Sequence, residues 1–188
     1  TSGPLNQLFV NLAGKDGERW LEEFKKFLRK EPCWVSFGKN SESSLLNFLG
    51  TITVPATTKQ FVARERFVVN TSDSAPVKIS YLGDDFPEWF PAGESKVEGP
   101  LPKQKLRYSR LEKSSMDGPI TAELGGEGKA ETTLSEVFAL MAKQANGKKG
   151  ALLNNRRANI FYVRDQKGVL RTVRVLWGDH GWLVLARE

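Results

Sequence analysis

The stretch NIFYVRDQKGVLRTVRVLWGDHGWLVLA, residues 159–186, decides the fold class of this 188-residue chain. Two strand-like segments, residues 159–164 and 169–176, flank a polar four-residue turn whose Gly168 suits a left-handed backbone. A second glycine-bounded turn, residues 178–181, leads into another apolar segment, residues 182–186. The pattern predicts an antiparallel meander of three strands.

A long helix is predicted just before this meander. Thr133 and Glu136 have the spacing of a capping box, and Gly147 follows as a stop. The apolar face of this helix is formed by Leu134, Val137, Phe138, Met141 and Ala145. A helix packed against a mostly antiparallel sheet is an α+β fold, and this is the predicted fold class.

The N-terminal residues predict a helical hairpin. Pro4 suits a first helical turn, Gly14 supplies a break, Asp16 is a candidate cap and Pro32 prevents continuation. The second helix has one apolar face, formed by Trp20, Leu21, Phe24, Phe27 and Leu28. We therefore divide the chain into a hairpin with a short strand (1–38), a linker (39–50) and an α+β core domain (51–188).

The composition favours a soluble cytoplasmic protein. No apolar run approaches the roughly 20 residues of a membrane span, and residues 1–12 do not resemble a signal peptide. Cys33 is the only cysteine, which fits a reducing compartment. We expect no membrane partner, and the sequence leaves the oligomeric state open.

Positive charge is concentrated at the C-terminal end of a chain whose net charge is +6. The candidate polyanion-binding residues are Lys148, Lys149, Arg156, Arg157, Arg171 and Arg174. The neighbouring aromatic residues Phe161, Tyr162 and Trp177 could stack on bases, as single-stranded nucleic-acid binding requires. Alternatively, these aromatics face the core and the cations are only solvated. An acidic protein is the other candidate partner.

A second basic pattern lies upstream. Apolar residues and cations alternate, or nearly alternate, around Leu106, Tyr108 and Leu111. This pattern predicts an exposed strand with one basic face. The cations are Lys103, Lys105, Arg107, Arg110 and Lys113.

Catalytic signals are weak, and we assign no catalytic residue, metal ligand or cofactor. His180 is the only histidine, and it lies in a turn where polar residues are favoured for conformation alone. Residues 125–128 are glycine-rich and precede a helix but lack the lysine of a phosphate-binding loop. A carboxylate-based enzyme using Asp84 or Glu123 stays an alternative.

Several stretches of the chain resemble an uncharacterised group of proteins from small-genome, uncultured bacteria. They are distributed over roughly two thirds of the sequence and comprise residues 53–58, 67–71, 77–84, 89–90, 117–120, 122–127, 129–134, 159–165, 168–171 and 181–182. The group carries no established function. Its members tend to have aspartate at the position of His180, and similar sequences continue beyond residue 188, so a C-terminal edge strand is expected to be missing or unneeded.

The sequence therefore favours a non-enzymatic binding protein that engages nucleic acid or another polyanion through its basic C-terminal segment. A small carboxylate enzyme is one alternative. The other is a protein–protein interaction module that uses the N-terminal hairpin. If this alternative holds, we expect an exposed apolar face around Trp20, Phe24 and Phe27.

Overall fold

The computed structural model describes residues 3–31 and 44–187. The chain forms two compact units, Thr1–Ser44 and Leu45–Glu188, and each is described by itself. The expected strand at residues 33–37 lies outside the described residues, as does the expected linker up to residue 43.

The first unit is the predicted helical hairpin. It consists of α1 (Pro4–Ala13) and α2 (Gly17–Leu28). Proline occupies the first turn of α1, where a missing N–H costs nothing. The connection is tight because a Cβ at Gly17 would overlap the Leu12 carbonyl oxygen. Asp16 occupies the N-cap position of α2 but makes no side-chain capping bond to it.

The second unit contains the remaining described elements. Its helices are α3 (Ala63–Arg66), α4 (Phe86–Trp89), α5 (Asp117–Glu123), α6 (Glu127–Ala130) and α7 (Leu134–Lys143). Its strands are β1 (Leu46–Val54), β2 (Phe61–Val62), β3 (Ile79–Asp84), β4 (Val97–Glu98), β5 (Gln104–Leu111), β6 (Asn159–Arg164), β7 (Leu170–Trp177) and β8 (Trp182–Arg187). The predicted α+β class is confirmed.

The main sheet has four strands in the order β3-β8-β7-β6. The meander of β6, β7 and β8 is antiparallel as predicted, and Gly168 in its first turn has a positive φ of 79°. β3 adds to β8 in parallel, so the sheet is mixed. Residues 67–69 do not extend this sheet. Asn70 forms an isolated antiparallel bridge to Ile79, and a second isolated bridge, parallel, joins Glu131 to Tyr162.

Two small antiparallel ladders, β1–β5 and β2–β4, complete the strand pairing among the described residues. β1 pairs along its length with β5, with a bulge between Phe48 and Gly50. Residues 46–50, which the sequence analysis assigned to the linker, therefore belong to a strand. The bulge interrupts the period-two alternation on which strand recognition depends.

The helix α7 packs on the main sheet and forms the core. Thr133 and Glu136 make the predicted capping box. A second cap comes from Glu98 on β4, whose buried carboxylate accepts the backbone N–H groups of Leu134 at 2.9 Å and Ser135 at 2.8 Å. The largest fully buried side chains include Trp182, Phe86 and Phe90.

No helix in the described part of the chain is both long enough and apolar enough to span a bilayer.

Candidate polyanion-binding surfaces

The six predicted cations do not form one surface. Four of them lie on the loop between α7 and β6, which we call the basic loop (residues 146–158). They are Lys148, Lys149, Arg156 and Arg157, and all four are exposed. Arg171 and Arg174 lie on β7 and are ion-paired.

Gln144 fixes the start of the basic loop from the end of α7. Its buried side chain donates to the carbonyl oxygens of Lys148 and Leu152, at 2.7 Å and 3.0 Å. Its side-chain oxygen accepts the Leu152 N–H at 2.8 Å. These three bonds substitute for the backbone pairing that the loop lacks.

Two asparagines fix the rest of the basic loop. Asn154 donates to the Gly147 carbonyl oxygen at 2.7 Å. Asn159, the first residue of β6, accepts the Leu153 N–H and donates to the carbonyl oxygens of Leu153 and Val175. The loop backbone is therefore anchored to the sheet while its cations point away from the core.

The four loop cations differ in their electrostatic partners. Arg156, which has a positive φ of 65°, pairs with Asp179 in the turn between β7 and β8. Lys148, Lys149 and Arg157 form no ion pair with any carboxylate in the parts of the chain that the structure describes. The basic loop thus presents a net positive charge even after the Arg156–Asp179 pair is counted.

A shallow pocket of about 270 Å³ lies beside the basic loop. It is lined by Thr71, Lys78, Asn146, Trp177, Asp179 and His180. Gly147 packs so closely on the Trp177 indole that a Cβ there would overlap the ring. The pocket therefore places one partly exposed aromatic ring next to the loop cations, which the sequence pattern alone did not locate.

Arg171 and Arg174 each pair with a carboxylate of the same chain. Arg171 binds Asp165 at 2.9 Å, and its guanidinium carbon lies 4.0 Å from the centroid of the Trp89 ring. Arg174 contacts Asp84 at 3.3 Å. Trp89 and Asp84 are far away in sequence, so these pairs could not be recognised from the local pattern.

All three interleaved aromatic residues pack against core residues. Phe161 and Trp177 are partly buried against the main core, and the Trp177 ring lies edge-on to that of Trp182 with the centroids 5.1 Å apart. Tyr162 is buried in a second cluster, and its hydroxyl donates to Asp117 at 2.8 Å. Burial and the Asp117 carboxylate raise the pKa of Tyr162 well above its usual range. The alternative that the aromatics face the core is therefore observed for Phe161 and Tyr162, and in part for Trp177.

Of the five cations in the second basic pattern, three lie on β5, and only Lys105 and Arg107 share one face of the β1–β5 ladder. The register of the β1–β5 ladder places several polar side chains and one aromatic side chain on a common face, which we call the ribbon face. Its residues are Phe48, Thr51, Thr53, Lys105, Arg107 and Ser109. Phe48 is 51% exposed, and the Arg107 guanidinium lies over its ring at 4.8 Å from the centroid. Cations and an exposed aromatic ring thus share this face.

The carboxylates considered for catalysis have structural partners. Asp84 binds Arg187 at 3.0 Å in addition to Arg174. Glu123 accepts the backbone N–H groups of Leu45 and Leu46 at 3.0 Å and 3.1 Å. Within residues 3–31 and 44–187, no cluster of three His, Cys, Asp or Glu side chains has the geometry to hold a metal ion.

Comparison with known protein families, with curated proteins and with solved structures found no match to this chain.

Proposed function

We propose that this protein binds polyanions without catalysing a reaction, and that single-stranded nucleic acid is its ligand. The observation that supports this proposal is the basic loop, with four exposed cations on a backbone anchored by Gln144, Asn154 and Asn159. Cations on an anchored loop contact phosphates at a low cost in conformational entropy.

Base stacking would come from two places. Trp177 lies beside the basic loop, and Phe48 lies on the ribbon face opposite Ser109, under the Arg107 guanidinium. An aromatic ring with a cation over one side retains a face and an edge for a base, and such stacking tolerates any sequence. We therefore propose non-specific binding, in which the cations supply most of the affinity.

We assign Arg171 and Arg174 a structural role, in which each forms an ion pair within the chain. Arg171 neutralises Asp165, whereas Arg174 shares Asp84 with Arg187, so the charge of Arg174 is compensated only in part. The lone Cys33 favours the reducing cytoplasm as the place of action, where single-stranded RNA is abundant.

The test is equilibrium binding of labelled single-stranded RNA and DNA pools over a range of salt concentrations. Each phosphate contact on a single strand contributes about 0.7 to the slope of log affinity against log salt, so four cations predict a slope of roughly −3. The double variant Arg156→Ala/Arg157→Ala should reduce the magnitude of that slope by about 1.4.

A matched control removes two exposed cations elsewhere, as Lys59→Ala/Lys167→Ala. The control should keep the slope of the wild type, because neither residue lies on the basic loop. Binding that does not respond to salt, or an equal loss in both double variants, would contradict the proposal.

A further inference from the structure

The helical hairpin leaves large apolar side chains exposed on both of its helices. On α1, Phe9 and Val10 are 66% and 60% exposed. On α2, Phe27 and Leu28 are 58% and 65% exposed, and Leu21 is also exposed. So many large apolar side chains on fewer than 30 residues are typical of an interaction surface.

The exposed side chains of α2 lie along one stripe. Leu21 and Leu28 are seven residues apart and lie on the same side of the helix, with Phe24 between them. Phe27 extends the stripe, because its ring stacks on that of Phe24 with the centroids 6.3 Å apart. A stripe with seven-residue spacing is suited to packing against another helix.

Charges beside this stripe change sign along the helix. Glu18 and Glu22 lie on one flank in the N-terminal half, and Lys25 and Arg29 continue the same flank toward the C-terminus. All four are exposed, and the ion pairs Lys25–Glu22 at 2.8 Å and Arg29–Glu31 at 2.7 Å are exposed pairs that a partner helix can exchange. If a second α2 crosses in the antiparallel direction, the acidic half of each flank meets the basic half of the other. Parallel packing would instead place the charged flank of each helix against the opposite flank of the other, so the acidic and basic halves would not meet.

We propose that the partner of this stripe is a second copy of the chain. Two hairpins pack through their α2 stripes, antiparallel and related by a two-fold axis, and form a four-helix bundle. In such an isologous contact, Leu28 of each copy lies near Leu21 of the other, and each flank supplies both signs of charge. This inference uses no residue of the basic loop or the ribbon face, so it does not rest on polyanion binding.

The test is sedimentation velocity of the full chain over a range of concentrations. The wild type should form a dimer that dissociates on dilution. The reversals Glu18→Lys/Glu22→Lys and Lys25→Glu/Arg29→Glu should each weaken the dimer about tenfold or more, because each gives both flanks of the dimer one sign. An equimolar mixture of the two variants should regain dimerisation as a heterodimer.

Two further variants secure the result. Glu65→Lys/Glu94→Lys makes the same change in net charge as Glu18→Lys/Glu22→Lys, but in the second unit, and should dimerise as the wild type does. Leu28→Glu should abolish the dimer, with circular dichroism to check that the helices persist. A wild type that is monomeric at every soluble concentration would overturn the proposal. Charge variants that self-associate like the wild type, or a mixture that stays monomeric, would overturn it too.

Discussion

Arg171 and Asp165 form an ion pair of 2.9 Å that joins β7 to the turn after β6. The Asp165 side chain is only 2% exposed and that of Arg171 14%. Asp165 also accepts the N–H groups of Lys167 and Val169 through its other oxygen, Oδ1. A cation that the sequence offered for nucleic-acid binding thus stabilises the fold, which leads to the first two predictions.

Replacing Asp165 by alanine should lower the free energy of unfolding by about 3–5 kcal/mol, because it leaves Arg171 as a nearly buried charge without this partner. Urea unfolding measures the loss. Lys167→Ala, an exposed change in the same turn, should stay within about 0.5 kcal/mol of the wild type. Equal stability of Asp165→Ala and the wild type would show that the pair contributes nothing.

The same residue should make stability depend on pH. Burial raises the pKa of Asp165, but hydrogen bonds from Arg171, Val169 and Lys167 outweigh burial and hold it below its ordinary value of 3.8. The stabilisation is therefore complete above pH 3.8 and is lost as the pH falls through the folded-state pKa. The stability difference between wild type and Asp165→Asn should shrink below pH 3.8. A difference that is constant with pH would contradict this assignment.

Glu98 should show the opposite trend. Burial raises its pKa above the ordinary 4.5, although the N–H groups of Ser135 and Leu134 favour the charged form. Stability from Glu98 is therefore greatest below pH 4.5 and falls as the pH rises through the folded-state pKa. Glu98→Ala should cost about 1–3 kcal/mol, since it leaves two N–H groups of α7 without an acceptor. Thermal unfolding between pH 4 and pH 7 checks both the size and the direction.

Gly147 should not tolerate a side chain. Its φ is 67°, and an added Cβ would overlap the Trp177 indole. Gly147→Ala should therefore cost about 1–3 kcal/mol, shift the Trp177 fluorescence and weaken polyanion binding by displacing the basic loop. Gly128→Ala is the control, because a Cβ there meets no atom within 4 Å and Gly128 lies in the helix α6. That control should leave binding unchanged.

Removing the partner of Arg156 should strengthen polyanion binding. Asp179→Asn deletes a negative charge from the pocket beside the basic loop and removes the carboxylate that competes with a phosphate for Arg156. We expect affinity for single-stranded RNA at low salt to rise by up to about fivefold, the range of an exposed ion pair. Unchanged affinity would mean that Arg156 contributes little to binding.

Local sequence determined the elements whose stabilising contacts lie close together along the chain. The capping box of Thr133 and Glu136 and the turn of Asp165 and Gly168 each span four residues. The hairpin of α1 and α2 follows from Pro4, Gly14 and the apolar spacing of α2. In each case the backbone preference and the apolar period agree over one short stretch, so the pattern alone predicts the structure.

Only the tertiary structure decided which polar groups are free to act. Arg174 meets Asp84 across 90 residues, and Glu98 caps α7 from 36 residues upstream. The parallel pairing of β3 with β8 joins segments about 100 residues apart. The sequence of a charged residue and its neighbours does not show whether its side chain faces water or a carboxylate from a distant part of the chain. The sequence therefore determined where the cations are, and folding decided which of them keep an uncompensated charge.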